Sequence, residues 1–131
     1  AGVELAGFAP PEVVQAGIDL LVHPADNESF GRIVVEAMAA SRAVVGVAGG
    51  GVGELVKAGV TGWLSPPDDP DALAGAIREA LEQPALRLAY GAAGRALARD
   101  RYSIDACARA VALIYERAMF RPLSFLPRAL R

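Results

Sequence analysis

The chain has 131 residues, 53% of them hydrophobic and 21% charged, with a formal net charge of −2. This composition is typical of a globular domain or of a piece of a larger one, and it excludes a disordered chain. Residues 1–70 contain three basic and nine acidic residues, whereas residues 71–131 contain ten basic and six acidic residues. The acidic first half argues against a nucleic-acid partner.

No apolar run approaches the roughly 20 residues that cross a bilayer, and no signal peptide is visible. A single cysteine, Cys107, excludes an internal disulfide and is typical of a reducing compartment. Its alanine-rich helical surroundings favour a small buried thiol over a nucleophile. We therefore expect a cytoplasmic protein.

Short apolar runs in the first half of the chain predict strands separated by helices. The run at residues 19–23 is apolar throughout rather than alternating, which indicates a parallel sheet buried on both faces. The predicted strands cover residues 3–7, 19–23, 43–47 and 61–64. The intervening helices are predicted to begin at residue 10 and to cover residues 30–40 and 52–58.

Helical patterns fill the second half, over residues 70–83, 85–99 and 104–120. The order of elements predicts an α/β fold: a Rossmann-like parallel sheet of about four strands, followed by a C-terminal helical segment. We expect one partial domain over residues 1–131. Its predicted parts are an α/β part at 1–65, helices at 66–120 and a tail at 121–131.

The most informative segment joins the second predicted strand to the helix that follows it. Glu28 lies in the connecting loop, and Ser29, Phe30 and Gly31 open the helix. Ligands of doubly wound sheets bind beyond the carboxyl ends of strands, and the free N–H groups of a first helical turn can hold phosphate. Glu36 follows Glu28 by eight residues, an axial distance of about 12 Å in a helix. Two carboxylates at this separation suit a ligand with a diphosphate between two hydroxyl-bearing ends.

The frame E-S-F-G-x4-E-A-M-A, from Glu28 to Ala39, closely resembles the signature of glycosyltransferase family 4, which comprises retaining enzymes of the GT-B fold. The glycine-rich segment 50–56, the segment 59–64 and the turn at 66–71 also match that family's pattern. The resemblance covers roughly residues 3–119, and it implies the C-terminal nucleotide-sugar-binding domain of such an enzyme.

The resemblance implies a role for each residue of the donor site. Glu28 would contact hydroxyls of the donor sugar and act as the catalytic residue, while Glu36 would hold the ribose hydroxyls. The donor-binding residues it implies are Glu28, Ser29, Phe30, Gly31, Glu36, Phe8 and Ala9. The reaction implied is transfer of a hexose from a UDP- or GDP-sugar to an acceptor hydroxyl with retention. Neither a metal nor a cofactor is implied.

The chain also departs from the family pattern. Ser41 and Ala43 stand where the family usually has Gly and Pro, which predicts an altered helix end rather than altered chemistry. The family's first loop supplies an Arg and a Lys that clamp the diphosphate, and nothing before Val3 corresponds to it. The resemblance therefore implies truncation at the N-terminus, without the domain that binds an acceptor sugar or lipid-linked glycan. We expect a fragment, or an oligomer that completes the sheet.

Several interpretations remain open at this point. The chain is either part of an active transferase or a non-catalytic remnant that binds nucleotide weakly or serves as an assembly surface. A flavodoxin-type module is disfavoured, because no acidic cluster follows the first strand. His23 either ends a strand structurally or borders the sugar site, and Arg32 is either solvated or a phosphate contact. The apolar and basic tail either touches anionic lipid, giving peripheral membrane association, or packs on a neighbouring domain.

Overall fold

The computed structural model of the chain describes residues 2–120. Within that range it contains three strands, six α-helices and one π-helix. In chain order these are α1 (Pro11–Gly17), β1 (Leu20–His23), α2 (Arg32–Ala39), β2 (Ala43–Val47), α3 (Gly50–Leu55), β3 (Gly62–Ser65), α4 (Pro70–Glu82), α5 (Pro84–Leu97), the π-helix (Ala98–Tyr102) and α6 (Ile104–Phe120).

The strands form a parallel sheet in the order β1-β2-β3. β2 lies in the middle and all five of its residues are buried, as expected for a strand covered on both faces. Helices α2 and α3 provide the crossovers, and α4 to α6 follow the last strand. The prediction of a parallel α/β sheet with a C-terminal helical segment is confirmed.

The prediction of about four strands is wrong for residues 3–7. These residues form no strand, and the side chains of Val3 and Leu5 are almost fully exposed. Within residues 2–120, no strand lies beside β1 on the side away from β2. Because a strand is stable only when its backbone groups are paired, the segment forms no strand and stays exposed to solvent.

The core consists of two clusters, one on each face of the sheet. Alternate residues of β2 point to opposite faces, so Val44 belongs to the first cluster and Val45 to the second. The first cluster packs α2, α3 and the π-helix against the sheet around Met38 and Leu55. The second cluster places α4 and α5 against Trp63, which is buried.

Two further sequence predictions change in the structure. Helix α2 begins at Arg32 rather than at Phe30, because Gly31 has a left-handed φ of 87° and acts as the N-cap. Cys107 is exposed rather than buried, because it lies on an outer face of α6.

No helix within residues 2–120 is both long enough and apolar enough for a membrane crossing. The predicted tail at residues 121–131 lies outside the described residues.

Candidate donor site

The segment at residues 24–31 leaves the carboxyl end of β1 and enters α2; we call it the donor loop. It lies at the edge of the sheet where doubly wound proteins bind ligands. Glu28 lies in this loop, and Glu36 lies in the second turn of α2. The two predicted carboxylates therefore belong to one continuous strand-loop-helix unit.

Glu28 is held by backbone and side-chain contacts together. Its Oε1 accepts a hydrogen bond of 3.3 Å from the N–H of Phe30, and its carbonyl accepts one of 2.7 Å from Gly51. Its Oε2 lies 3.9 Å from Nε2 of His23. The carboxylate is therefore oriented by the protein but remains partly exposed, with Oε2 able to accept a hydrogen bond from a ligand hydroxyl.

His23 ends β1 beside the donor loop, and its side chain is only 12% exposed. Its Nδ1 is buried without a hydrogen-bond partner among the described residues. The Nε2–H tautomer places a donor towards the Glu28 carboxylate and leaves an unpaired acceptor at Nδ1. The position of His23 agrees with both interpretations, because it ends a strand and also contacts a predicted site residue.

The three consecutive glycines Gly49–Gly51 form a bed under the donor loop. A Cβ atom on Gly49 would collide with the backbone of Asp26, and one on Gly50 with that of Glu28. A Cβ on Gly51 would lie 2.6 Å from Cα of Phe30. The glycine-rich pattern of residues 50–56 did not by itself predict this contact. The run of three glycines was the available signal for this close approach of two backbones.

Gly31 is required by the backbone rather than by a ligand. Its φ is 87°, and an added Cβ would lie 3.3 Å from a methyl group of the Leu55 side chain. Its carbonyl accepts the N–H groups of Val34 and Val35, which begins the α2 ladder. The N–H groups of Arg32 and Ile33, in the first turn of α2, have no acceptor within the helix and face its N-terminal end, where the donor loop enters.

Glu36 pairs with Arg32 one turn earlier in α2, with 3.7 Å between Oε1 and Nε. The Arg32 side chain is 85% exposed, so this pair adds little to stability. Arg42, by contrast, donates hydrogen bonds of 2.9 and 3.2 Å to the carbonyls of Gln15 and Ala16 in α1. Arg32 is thus an exposed cation at the start of α2, whereas Arg42 is used structurally.

The remaining predicted residues differ in their placement. Ser29 is exposed on the donor loop, and Phe30 packs its ring against Tyr102 with 6.1 Å between centroids. Phe8 is 99% exposed, so the structure does not bring it into contact with the donor loop. Ala9 lies next to it, before α1.

An open cleft of about 430 Å³ adjoins the first part of the donor loop, at the carboxyl ends of the strands. Its walls are formed by Pro24, Asp26, Val47, Pro66, Asp68, Asp69, Pro70 and Leu73. Neither Glu28 nor Glu36 lines it, and its three carboxylates would repel a diphosphate. The later part of the donor loop, residues 28–31, together with α2 is therefore the better candidate site. Within residues 2–120, no three His, Cys, Asp or Glu side chains are grouped so as to hold a metal ion.

A parallel sheet with helices on both faces, and a strand-to-helix loop at its carboxyl edge, define a Rossmann-like α/β protein. Residues 1–97 match the family model "Glycosyl transferases group 1". The chain belongs to this family, and the resemblance found in its sequence is confirmed.

Relatives with known names agree with this assignment. The chain is 39% identical over 102 residues to D-inositol 3-phosphate glycosyltransferase of Streptomyces avermitilis, covering 76% of the chain and 21% of that protein. It is 35% identical over 98 residues to the lipopolysaccharide core biosynthesis mannosyltransferase LpcC of Rhizobium leguminosarum, covering 75% and 28%.

Solved structures show the same fold. Sucrose-phosphate synthase from Thermosynechococcus elongatus matches with a TM-score of 0.75 at 33% identity, over 82% of this chain and 27% of that one. Anabaena HepE in complex with UDP-glucose matches with a TM-score of 0.76 at 30% identity, over 84% and 30%. These neighbours are GT-B glycosyltransferases. The chain spans between about a fifth and a third of the length of the proteins described here.

Proposed function

We propose that this chain is the donor-binding part of a retaining glycosyltransferase that moves a hexose from a UDP- or GDP-sugar to an acceptor hydroxyl. The observation that carries the proposal is the placement of Glu28 and Glu36 on either side of the α2 N-terminus, in a member of the glycosyl transferases group 1 family. A structural neighbour described as a complex with UDP-glucose supports a nucleotide-sugar donor.

The contacts of each carboxylate are compatible with the part that the family resemblance gives it. Oε1 of Glu28 is occupied by the Phe30 N–H, which leaves Oε2 to accept from a hydroxyl of the donor sugar. Glu36 accepts from the ribose hydroxyls, and Arg32 then turns from Glu36 towards the diphosphate. Ser29, Phe30 and Gly31 lie along the sugar and diphosphate.

In this reaction the bond between the anomeric carbon and the diphosphate oxygen breaks. The acceptor oxygen bonds to the same carbon on the same face, and the acceptor proton leaves with the nucleoside diphosphate. The positive end of the α2 dipole and the Arg32 guanidinium stabilise the negative charge that develops on the leaving group. The proposal requires neither a metal nor a cofactor. The acceptor, a sugar or a lipid-linked glycan, would be bound by residues outside this chain.

A second candidate function is a non-catalytic unit that binds nucleotide weakly or serves as an assembly surface. The observation in its favour is the shortage of free cations, since residues 1–70 contain only three basic side chains and Arg42 is bound to α1. A diphosphate carries at least two negative charges, and α2 offers it a single basic side chain, Arg32. Affinity for nucleotide-sugars distinguishes the two candidates.

The test of the proposal is calorimetric titration of the chain with UDP, GDP and their sugar conjugates, repeated with Glu36→Ala. We expect saturable binding that weakens about tenfold to a hundredfold in Glu36→Ala, because the ribose hydroxyls lose a charged acceptor. Glu82→Ala is the matched control, since it removes an exposed carboxylate from α4 on the other face of the sheet.

Equal affinity in Glu36→Ala and the unchanged chain would contradict the role given to Glu36. An absence of binding at millimolar ligand would contradict the donor-site proposal for this chain and support the second candidate.

A further inference from the structure

Tyr102 contacts the donor loop although the two are far apart in the sequence. Its ring meets Phe30 edge to face, with 6.1 Å between centroids and 73° between planes. This geometry is the favourable T-shaped arrangement of two aromatic rings. Tyr102 lies outside residues 1–97, the region that the family model matches.

The π-helix sets the position of Tyr102. It covers Ala98–Tyr102 between α5 and α6, and its first residue is buried in the core cluster around Met38. Leu97 and Tyr102 pack against the same cluster. A π-helical turn is rare and is frequently found at functional sites. Here the turn is anchored in the core, and its last residue reaches the donor loop.

Phe30 is constrained from three directions. Its N–H donates to Oε1 of Glu28, and its backbone lies so close to Gly51 that a Cβ there would come within 2.6 Å of Cα. Its ring, 47% exposed, packs against Tyr102. Removing the Tyr102 ring therefore removes the constraint on the Phe30 side chain and leaves the amide that orients the Glu28 carboxylate held only by Glu28 and by the contact with Gly51.

We propose that Tyr102 is a positioning residue for the donor loop: through Phe30 it fixes the amide that orients Glu28. The order of the loop follows from these contacts alone, whereas the effect on nucleotide-sugar affinity rests on the proposed function. Because α6 begins two residues after Tyr102, the contact between Tyr102 and Phe30 also connects the start of α6 to the donor loop.

A second aromatic pair provides a control for simple loss of packing. Trp63 and Tyr90 lie in the core cluster on the opposite face of the sheet, with 4.7 Å between ring centroids. Tyr90→Leu removes an aromatic ring from the fold as Tyr102→Leu does, but it leaves the contacts of the donor loop intact. A residue that acts only through stability would show the same effects at both sites.

The experiment compares Tyr102→Leu, Tyr102→Phe and Tyr90→Leu in two measurements. NMR of the free chain follows the Phe30 amide shift and the hydrogen exchange of the Gly51 amide, which donates to the Glu28 carbonyl. Calorimetry follows the affinity for UDP-glucose and GDP-mannose. A third substitution, Phe30→Leu, alone and combined with Tyr102→Leu, measures the coupling between the two rings.

We expect Tyr102→Leu to shift the Phe30 amide, to speed Gly51 exchange and to weaken nucleotide-sugar binding about threefold to tenfold. Tyr102→Phe retains the ring and should match the unchanged chain. Tyr90→Leu should lower the melting temperature without moving either loop signal. Phe30→Leu should reproduce the effects of Tyr102→Leu, and the double variant should add nothing further.

Unchanged loop amides in Tyr102→Leu, or equal changes in Tyr90→Leu, would overturn the inference. If Tyr102→Leu does not fold, unchanged Gly51 exchange in Phe30→Leu overturns it in the same way. If the unchanged chain binds no nucleotide-sugar, the proposed function fails, while the NMR measurement still decides whether Tyr102 positions the loop.

Discussion

Ser41 is the residue at which this chain's departure from its family has a clear structural consequence. It has a left-handed φ of 61° just after the end of α2, where the family usually has glycine. The N–H of Ser41 donates to Met38 and that of Arg42 to Ala37, which is the Schellman pattern of helix termination. A side chain in this conformation costs free energy that glycine does not.

We therefore predict that Ser41→Gly raises the free energy of unfolding by about 1 kcal/mol, because it removes the Cβ from a left-handed position. Chemical denaturation followed by circular dichroism measures the change. Ser41→Ala is the matched control: it removes the hydroxyl but retains the Cβ, and should give no gain. A loss of stability in Ser41→Gly would show that the left-handed conformation carries no strain here.

At this scale the sequence predicted the two carboxylates but not what holds them. The spacing of Glu28 and Glu36 depends on local chain geometry, so a helix after a strand places both near the α2 N-terminus. The bed formed by Gly49–Gly51 and the ring of Tyr102 come from segments distant along the chain. No local pattern encodes those contacts, because they depend on how separate elements pack.

Among the elements, α4 shows how a local signal determines a boundary. Asp69 precedes Pro70, and its Oδ1 accepts a 2.8 Å hydrogen bond from the N–H of Ala72. Asp69 is therefore a side-chain N-cap with proline at the first helical position, and the helix begins at residue 70, as the sequence predicts. The start of α2 was predicted less well, because a left-handed Gly31 delays it to Arg32.

For α4 we predict that Asp69→Ala lowers the free energy of unfolding by about 1 kcal/mol, since the Ala72 N–H loses its acceptor. Thermal and urea denaturation provide the measurement. Asp71→Ala removes a carboxylate from the same first turn without removing the cap, so it should cost about half as much or less. Equal losses in both variants would assign the effect to the helix dipole instead of the cap.

At the scale of the whole molecule, the described residues leave much apolar surface uncovered. Val13 on α1 and Val22 on the edge strand β1 are exposed, as are Ile114 and Met119 on α6. Exposed apolar surface next to an unpaired strand edge favours association, because association removes both the apolar surface and the strand edge from water.

We accordingly expect the chain to self-associate, with a sedimentation coefficient that rises with protein concentration. Val22→Lys should reduce the association, because it places a charge on the edge strand without entering the core. Arg109→Lys on α6 preserves charge and serves as the control. A compact, cooperatively unfolding monomer at all concentrations would contradict the expectation that an oligomer covers this surface.

The sequence by itself determined the alternation of strands and helices, the parallel sheet and the frame from Glu28 to Glu36, because hydrophobic period, helix caps and residue spacing act over a few neighbours. The tertiary structure decided the rest. Residues 3–7 form no strand because none of the described residues pairs with them, and Cys107 is exposed because no described element covers its face of α6. The glycine bed and the contact between Phe30 and Tyr102 exist only after distant segments pack, and packing energy depends on contacts that no single segment contains.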